Sequence, residues 1–355
     1  MKVVTIIGAR PQFVKAATVS RELKKAGLEE ILVHTGQHFD HNMSQVFFDE
    51  MEIPHPHYNL EISGLNHGAM TGRMLEKIED VLLKEKPDYV LVYGDTNSTL
   101  AGALASVKLH IPVAHVEAGL RSFEMKMPEE VNRILTDRIS KILFCPTQTA
   151  FDNLNQEGFQ HFDCKVVLAG DVMFDAVKYY QSKINTHATV LQTQHLEGKH
   201  FVLATLHRAE NTNDPARLKA ICEAFNEINQ DVTIVLPLHP RTKAFLESNH
   251  IPLHARIIEP VGYFDMLALL KNCQLVMTDS GGLQKEAYFF EKFCITLRDQ
   301  TEWVELVHVG ANVLAGANKE TIVKNFKSNY QKSIQVKEGL YGEGHAAATI
   351  VSYLQ

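Results

Sequence analysis

The sequence alternates between short apolar runs and amphipathic stretches, and this alternation strongly constrains the fold. The run KVVTIIG at residues 2–8 leads into RPQFVKAATVSRELKKAG, which has helical spacing. The same plan recurs further along, for example where RMLEKIEDVLLKEK leads into PDYVLVYGD. Strands that alternate with helices predict a parallel sheet covered by helices. We therefore predict an α/β fold of the doubly wound type.

The alternation weakens once, which predicts two domains. Residues from about 178 to 199 are polar and have no strong period, as is typical of a linker or a peripheral helix. The 355 residues also exceed the usual size of one domain. We predict Rossmann-like domains at 1–170 and 175–335. Ligands of such sheets bind beyond the carboxyl ends of the strands, so the expected site is the cleft between the domains.

Composition excludes several classes of protein. The chain has 42 acidic and 35 basic side chains and a net charge of −7, which argues against a nucleic-acid partner. No apolar run approaches the roughly 18 residues of a membrane span, and the first apolar run is too short for a signal peptide. The five cysteines are scattered without a CxxC pair. These features predict a cytoplasmic protein with reduced thiols and no membrane partner.

The turn after the first apolar run is a candidate phosphate site. Gly8 permits a tight turn, Pro11 suits a first helical turn, and free amides there would attract an anion. Arg10 and Lys15 add positive charge at the same end. A capped helix with two solvated bases is the alternative interpretation.

A second candidate anion site lies in TDSGGLQKEA. Ser280, Gly281 and Gly282 follow a strand that ends at Asp279, and their amides would face a ligand at the start of a helix. Glu286, further along, could accept hydrogen bonds from a ribose diol. Simple helix capping by Ser280 is the alternative. Two anion sites at the strand ends of both domains suggest a nucleoside diphosphate.

Acidic and basic residues also fall at predicted strand ends. Asp95 and Glu117 follow apolar strands and would point at a ligand or at a paired arginine. Glu129 and Glu130 instead begin a helix, where a carboxylate often only complements the helix dipole. His207 and Arg208 end the first strand of the second domain, a position that again points to the cleft, although a lone histidine is more often a satisfied hydrogen-bonding residue than a catalyst. No histidine pair has metal-ligand spacing on a helix, so we predict no metal site; the histidines considered are His34, His38, His41, His55 and His57.

These motifs, in this order and spacing, resemble the non-hydrolysing UDP-N-acetylglucosamine 2-epimerases over nearly the whole chain. The matching blocks are GARPQFVKA, TGQH, YGDTNSTLAGALA, HVEAGLRS, MPEEVNRILTD, FCPT, LHRAEN and TDSGGLQKEA. The resemblance implies the GT-B arrangement, in which two Rossmann-like domains hold the nucleotide sugar in the interdomain cleft. It also implies that a C-terminal helix at 344–355 packs back on the first domain and that the protein is a homodimer.

The resemblance assigns roles to the candidate residues. The pyrophosphate would be held by Arg10, Lys15, His207, Ser280, Gly281 and Gly282, and the ribose by Glu286. Backbone at Val261 and Met266 would meet the uracil. The acids implied to be catalytic are Asp95, Glu117 and Glu129 jointly, with His207 assisting the leaving phosphate. The implied reaction eliminates UDP to give 2-acetamidoglucal and adds it back, without a metal or cofactor.

The leading hypothesis is therefore interconversion of UDP-N-acetylglucosamine and UDP-N-acetylmannosamine, for surface polysaccharide precursors. Family members commonly carry Arg after Thr-Glu in a late loop, whereas this chain has Trp303, which looks more like the branch that acts on UDP-2,3-diacetamido-2,3-dideoxy-glucuronate. That 2-epimerase is the alternative. A GT-B glycosyltransferase and a non-catalytic nucleotide-sugar sensor are further alternatives, and the acidic trio argues against both.

A second departure follows TGQH. Members regulated by their own substrate at a second site differ there from HFDHNMSQV. The sequence leaves such regulation open.

Overall fold

The protein is described by a computed structural model that covers residues 1–37, 51 and 53–355, apart from the side chain of Arg10. The chain divides into two compact units. The first comprises Met1–Lys178 and Glu338–Gln355, and the second comprises Tyr179–Lys337.

The first unit contains a seven-stranded parallel sheet. Its strands are β1 (Lys2–Ile7), β2 (Glu29–His34), β3 (Tyr58–Asn59), β4 (Tyr89–Tyr93), β5 (Val113–Val116), β6 (Ile142–Cys145) and β7 (Lys165–Leu168). They lie in the order β3-β2-β1-β4-β5-β6-β7. The connecting helices are Arg10–Lys25, His67–Glu85, Asn97–Lys108, Pro128–Ile139 and Gln148–Gln156, with a short 3-10 turn at Phe159–His161; Val172–Tyr180 then follows β7.

The second unit repeats the plan with a six-stranded parallel sheet. Its strands are β8 (Phe201–Thr205), β9 (Thr233–Pro237), β10 (Arg256–Ile258), β11 (Leu275–Thr278), β12 (Cys294–Thr296) and β13 (Asn312–Leu314), in the order β10-β9-β8-β11-β12-β13. Its helices are Ile184–His187, Val190–Thr193, Ala209–Thr212, Pro215–Ile228, Pro240–Ser248, Tyr263–Asn272, Gly281–Phe289, Val304–His308 and Lys319–Asn329.

The last helix, Ala346–Ser352, belongs to the first unit and packs against Arg10–Lys25. The carboxylate of Asp175 accepts hydrogen bonds from the amides of Ala346 and Ala347 at 3.2 and 2.8 Å, and so satisfies the start of this helix.

Both sheets confirm the predicted α/β class of two doubly wound, Rossmann-like sheets. In each sheet the strand order reverses at one point, between β1 and β4 in the first unit and between β8 and β11 in the second. Such switch points open a crevice at the carboxyl ends of the strands, where ligands bind. The helix His67–Glu85 shows how the sheet is covered, because its stripe of Met70, Met74, Ile78, Val81 and Leu82 is buried.

A buried charged network holds the loop that follows β5. The carboxylate of Asp137, which has no exposed surface, accepts hydrogen bonds from the Gly119 amide at 3.1 Å and from Arg121 Nη1 at 2.7 Å. Its other oxygen lies 2.7 Å from His115 Nδ1, and His115 Nε2 donates to the Gly94 carbonyl at 2.7 Å. Asp137 therefore ties the end of β5 to the helix Pro128–Ile139, and His115 extends the link to the turn after β4.

Burial alone would raise the pKa of Asp137, but the hydrogen bonds and charges of His115 and Arg121 outweigh burial and hold that pKa below its usual value. A lowered pKa means that this carboxylate stabilises the fold at neutral pH and that the stabilisation is lost as the pH falls through the lowered pKa.

We expect Gly119→Ala to destabilise the first unit by about 2–4 kcal/mol. Gly119 has φ of +80°, and an added Cβ would lie 2.3 Å from the carbonyl oxygen of Ala150, which is backbone and cannot rotate away. Gly27→Ala is the matched control, because Gly27 has φ of +70° but no atom within 4 Å of the added Cβ. Urea unfolding followed by circular dichroism measures both variants, and equal losses would contradict the steric explanation.

We expect Asp137→Asn to lower the free energy of unfolding by about 3–5 kcal/mol at neutral pH, since it leaves the Arg121 guanidinium without its buried counter-charge and removes the carboxylate that His115 and the Gly119 amide contact. Because the pKa of Asp137 lies below its usual value of about 3.9, the loss stays constant between pH 7.5 and 5.5 and narrows only in stronger acid. Urea unfolding at pH 7.5, 5.5 and 3.5 tests this. A loss that has already vanished at pH 5.5 would show that the carboxylate is not held in its charged form.

Candidate functional site

The turn between β1 and the first helix lies at the switch point of the first sheet. The side-chain oxygen of Gln12 accepts hydrogen bonds from the amides of Gly8 and Ala9 at 2.8 and 2.9 Å. Its nitrogen donates to the Tyr93 carbonyl at 2.8 Å and so joins the turns after β1 and β4. The prediction of free amides in this turn is therefore wrong for Gly8 and Ala9, because Gln12 takes both. Arg10 is the first residue of the helix, and its side chain lies outside what the structure describes.

Lys15, one turn into this helix, contacts Glu117 through its ammonium group. Both side chains are largely buried. Glu117 adopts φ of +71°, a left-handed conformation that is uncommon for a residue with a side chain and that often marks a functional site. Gly94 packs against the pair, since a Cβ there would lie 3.3 Å from both charged groups. Two residues predicted for different roles, phosphate binding and catalysis, are thus brought together.

Asp95 pairs with Arg133, which lies in the helix Pro128–Ile139. Arg133 also donates to Glu130 at 2.9 Å. The fully buried carboxylate of Glu130 accepts the amides of Ser122 and Phe123, both at 2.9 Å. The structure therefore contains an ion pair between Asp95 and an arginine, which is the alternative to ligand binding that the sequence left open. Glu130 lies in the first turn of its helix and also binds both Arg133 and the loop at Ser122 and Phe123. Glu129, beside Glu130, is half-buried.

At the switch point of the second unit, the turn after β8 is held by Asp279. This buried carboxylate accepts the amides of His207, at 3.2 and 3.1 Å to its two oxygens, and of Arg208, at 3.0 Å. It also lies 3.2 Å from His207 Nδ1. The His207 ring is about half exposed, with 52% of the side-chain surface accessible.

The Ser-Gly-Gly turn follows Asp279 directly. Ser280 caps the helix Gly281–Phe289 through the Leu283 amide, at 3.4 Å, as the capping alternative expects. The first amides of a helix have no partner within it. A Cβ on Gly282 would meet no atom within 4 Å. The fold does not require glycine at position 282, although glycine costs a helix about 1 kcal/mol relative to alanine, so the missing side chain leaves open space beside the helix start.

The predicted ribose and uracil residues lie near the start of the helix Tyr263–Asn272. Burial raises the pKa of Tyr263 well above its usual value, and the neighbouring Glu286 carboxylate adds to the effect. Met266 lies inside this helix, and its amide donates to the Gly262 carbonyl at 3.0 Å. The Met266 amide therefore already forms a hydrogen bond within the helix. Val261 lies outside the helix, two residues before its first residue.

The late loop that departs from the family pattern is buried. Trp303 keeps 3% of its surface, and Lys285 Nζ lies 3.9 Å from the centroid of its ring. The indole nitrogen is 3.5 Å from the position of a Cβ on Gly281. Arg298, which is fully buried, donates to Glu302 at 2.9 Å. The helix that carries the second candidate anion site therefore has a cation of its own against the Trp303 ring, and the indole nitrogen of that ring lies beside its first residue.

Sequence patterns missed the contacts made at the candidate site by Gln12, Glu130, Asp279 and Lys285, although Glu130 and Asp279 were named for their positions. Gln12 and Glu130 stand in the first turn of a helix, where a side chain can reach backbone amides, and this position was the available signal. Asp279 shares with Asp95 and Glu117 its place at a strand end.

The remaining predictions concern metals, membranes and the segment after TGQH. Within the described ranges, no group of three or more His, Cys, Asp or Glu side chains could hold a metal ion. No helix in the same part of the chain is long and apolar enough to cross a membrane. His38, His41 and the rest of the HFDHNMSQV segment lie outside the described residues.

Comparison with known proteins places these features in a family. A family model described as UDP-N-acetylglucosamine 2-epimerase matches residues 21–355. A Pseudomonas aeruginosa protein named UDP-2,3-diacetamido-2,3-dideoxy-D-glucuronate 2-epimerase is 58% identical over 356 residues, covering 100% of this chain and 99% of the relative. A Methanococcus maripaludis protein named as a UDP-N-acetylglucosamine 2-epimerase homolog is 50% identical over 365 residues, with the same coverage.

Similarity to solved structures indicates the same family. The crystal structure of Methanocaldococcus jannaschii UDP-GlcNAc 2-epimerase in complex with UDP-GlcNAc and UDP has a TM-score of 0.94 and 44% identity to this chain, covering 100% of this chain and 99% of that one. By its sequence and its fold alike, this chain belongs to the UDP-N-acetylglucosamine 2-epimerase family.

Proposed function

We propose that this protein is a UDP-sugar 2-epimerase whose substrate is UDP-2,3-diacetamido-2,3-dideoxy-D-glucuronate. The observation that carries this choice of sugar is Trp303, with Lys285 against its ring, at a position where the family commonly has arginine. The 58% identity to the Pseudomonas aeruginosa relative of that name supports it. The sequence alone makes this diacetamido sugar the alternative to UDP-N-acetylglucosamine.

The proposed reaction inverts carbon 2 by elimination and re-addition. A base removes the proton from carbon 2, the electron pair of that bond forms the double bond to carbon 1, and the bond from carbon 1 to the phosphate oxygen breaks with its electrons on UDP. UDP then adds back to carbon 1 while a proton reaches the opposite face of carbon 2. Two opposed proton-transfer groups and a well-stabilised leaving phosphate are therefore required.

The acids of the first unit suit the proton transfers. Asp95 and Glu117 follow adjacent strands, β4 and β5, and Glu129 lies on the helix that also supplies Arg133. Each strand-end acid contacts a cation, Arg133 or Lys15, so their negative charge is balanced and would repel an incoming pyrophosphate less. We assign Asp95, Glu117 and Glu129 jointly as the proton-transfer groups.

The phosphate groups are proposed to bind at both switch points. In the second unit the amides of Gly281 and Gly282, with Ser280, His207 and Arg208, would hold the leaving pyrophosphate, and Glu286 the ribose. In the first unit Lys15 and Arg10 would add positive charge. Because Lys15 already contacts Glu117, a bound pyrophosphate and this acid would compete for one ammonium group.

UDP-N-acetylglucosamine, the leading candidate of the sequence analysis, is the second candidate substrate. The description of the matching family model and the Methanocaldococcus jannaschii complex favour it. A glycosyltransferase would need no opposed acids, and a nucleotide-sugar sensor would need no acids at all, so the candidate acids favour an epimerase over both.

The substrate is tested by incubating the protein with each UDP-sugar in deuterated water and following carbon 2 by NMR. We expect deuterium at carbon 2 and a new epimer with the 2,3-diacetamido uronate, and exchange with UDP-N-acetylglucosamine that is slower by about 10-fold or more, because the two sugars differ at charged and polar groups. Exchange only with UDP-N-acetylglucosamine would move the assignment to the second candidate. Exchange with neither sugar would remove the elimination mechanism.

We expect variants of the first unit to lose turnover and a variant of the second unit to lose UDP affinity. Asp95→Asn and Glu117→Gln should lower turnover by about 100-fold or more with little change in UDP affinity, because each removes a proton-transfer group. Gly282→Ala should instead weaken UDP binding while the melting temperature stays level or rises, since its Cβ meets no protein atom and alanine favours a helix. Calorimetric titration with UDP and steady-state rates measure these effects. Near-normal turnover of both acid variants would refute the catalytic assignment, and unchanged UDP affinity of Gly282→Ala would refute the phosphate site.

A further inference from the structure

The helix Pro128–Ile139 contacts Asp95 at two separate points. The side-chain nitrogen of Asn132 donates to the backbone carbonyl of Asp95 at 2.9 Å, and Arg133 Nη2 donates to the carboxylate oxygen Oδ2 of the same residue. Consecutive helical residues lie about 100° apart around the helix axis, so these two side chains leave the helix in different directions and meet different groups. One contact holds the main chain of Asp95, and the other holds its carboxylate.

Both of these side chains are buried and have further partners. Arg133 Nη1 donates to the fully buried carboxylate of Glu130 at 2.9 Å, and the side-chain nitrogen of Asn132 also donates to the side-chain oxygen of Asn97 at 3.3 Å. The guanidinium of Arg133 is thus held between two carboxylates. Neither contact resembles an exposed ion pair, whose side chains would remain free to move in water.

The turn that carries Asp95 is also held on both sides of this residue. The Gly94 amide donates to the Val116 carbonyl at 2.9 Å, and the Thr96 hydroxyl accepts the side-chain nitrogen of Gln12 at 3.0 Å. With the Asp95 carbonyl held by the helix, the main chain of three consecutive residues is restrained. A restrained turn limits the positions that the Asp95 carboxylate can reach.

The two carboxylate oxygens of Asp95 differ in their surroundings. Oδ2 accepts from Arg133, whereas Oδ1 has no hydrogen bond or ion pair to any residue that the structure describes. The side chain is 28% accessible, so the carboxylate can still be reached by a ligand. Because rotation of the carboxylate would break the charge-assisted contact with Arg133, Oδ1 is the oxygen available to a ligand.

We propose that Asn132 and Arg133 are positioning residues that orient Asp95, so that Oδ1 is the oxygen presented to the substrate. This inference rests on the proposed function for the proton-transfer role of Asp95. Asn132 and Arg133 touch no reacting atom, and both act through Asp95. The role goes beyond charge balance, since a balancing cation only has to be near the acid, whereas Arg133 has to bind Glu130 and Asp95 at the same time.

The contact with Arg133 is measured without substrate by NMR of the full chain with ¹⁵N-labelled arginine. We expect slow rotation of the Arg133 guanidinium in the unaltered protein, because its two terminal nitrogens bind two different carboxylates. The signals are assigned by their loss in Arg133→Lys, and rotation should become faster in Asp95→Ala. Rotation as fast as that of exposed arginines in the unaltered protein would overturn the proposal, whether or not the proposed activity is correct.

Arg133→Lys separates orientation from charge. Lysine keeps the positive charge but lacks the planar group that can bind Glu130 and Asp95 together. We expect kcat to fall by about 10- to 100-fold with UDP affinity nearly unchanged, using whichever UDP-sugar the exchange experiment identifies. A near-normal kcat of Arg133→Lys would show that only the charge matters and would overturn the proposal.

Asn132→Ala tests the contact with the main chain, and a double-mutant cycle tests whether this contact acts through Asp95. We expect Asn132→Ala to lower kcat by about 10-fold with UDP affinity nearly unchanged, and to add little once Asp95 is already Asn. Losses that simply multiply in the double variant would show that Asn132 does not act through Asp95, and the positioning role would then be wrong.

Asn226→Ala is the matched control for a merely structural role. Asn226 also lies on a helix, Pro215–Ile228, and its side-chain nitrogen donates to a loop carbonyl, that of Pro252, at the same distance of 2.9 Å. This loop precedes β10 and carries none of the candidate site residues. We expect a lower melting temperature with kcat retained. If Asn226→Ala reproduced the kcat loss of Asn132→Ala, that loss would reflect general loosening of the fold, and the proposal would fail.

Discussion

Buried carboxylates that accept backbone amides are the interaction on which the rest of this structure depends. Asp137, Glu130 and Asp279 have no exposed surface, and each accepts amides from a loop that follows a strand. Burying a carboxylate is costly unless donors and charges surround it, and these three have both amides and a cationic or imidazole partner. Loops that would otherwise be free to move are therefore fixed at the strand ends, where the fold places ligands.

The sequence was sufficient for the architecture and for placing the candidate residues at the ends of strands. Apolar runs that alternate with helical stretches specify a parallel sheet, because only buried strands are apolar throughout. The rule that functional residues follow the strands then selected Asp95, Glu117, His207 and Ser280, and the structure places each of them beyond a strand end. Both steps use local patterns, which a sequence displays directly.

The partners of these residues could not be predicted, because they depend on contacts between distant parts of the chain. Lys15 and Glu117 are 102 positions apart, and nothing local distinguishes a phosphate-binding lysine from one that pairs with an acid. The turn at Gly8 is a second example. Its sequence predicts free amides, but the amides of Gly8 and Ala9 donate to the side-chain oxygen of Gln12. The sequence of a turn shows which backbone amides it contains, whereas only the folded structure shows which of them already donate a hydrogen bond.

The distribution of charge connects these observations to the net charge of −7. In the first unit, Asp95 and Glu117 each contact a cation, and Asp137 has both His115 and Arg121. The acids proposed for proton transfer are thus locally balanced, so they would repel the proposed pyrophosphate less than the net charge suggests. In the second unit, the candidate anion site consists mainly of amides, whose dipoles need no counter-ion. Lys15 belongs to both proposed sets of residues, because the ammonium that contacts Glu117 is also the one proposed to bind the pyrophosphate, so the acid and the anion would compete for one positive charge.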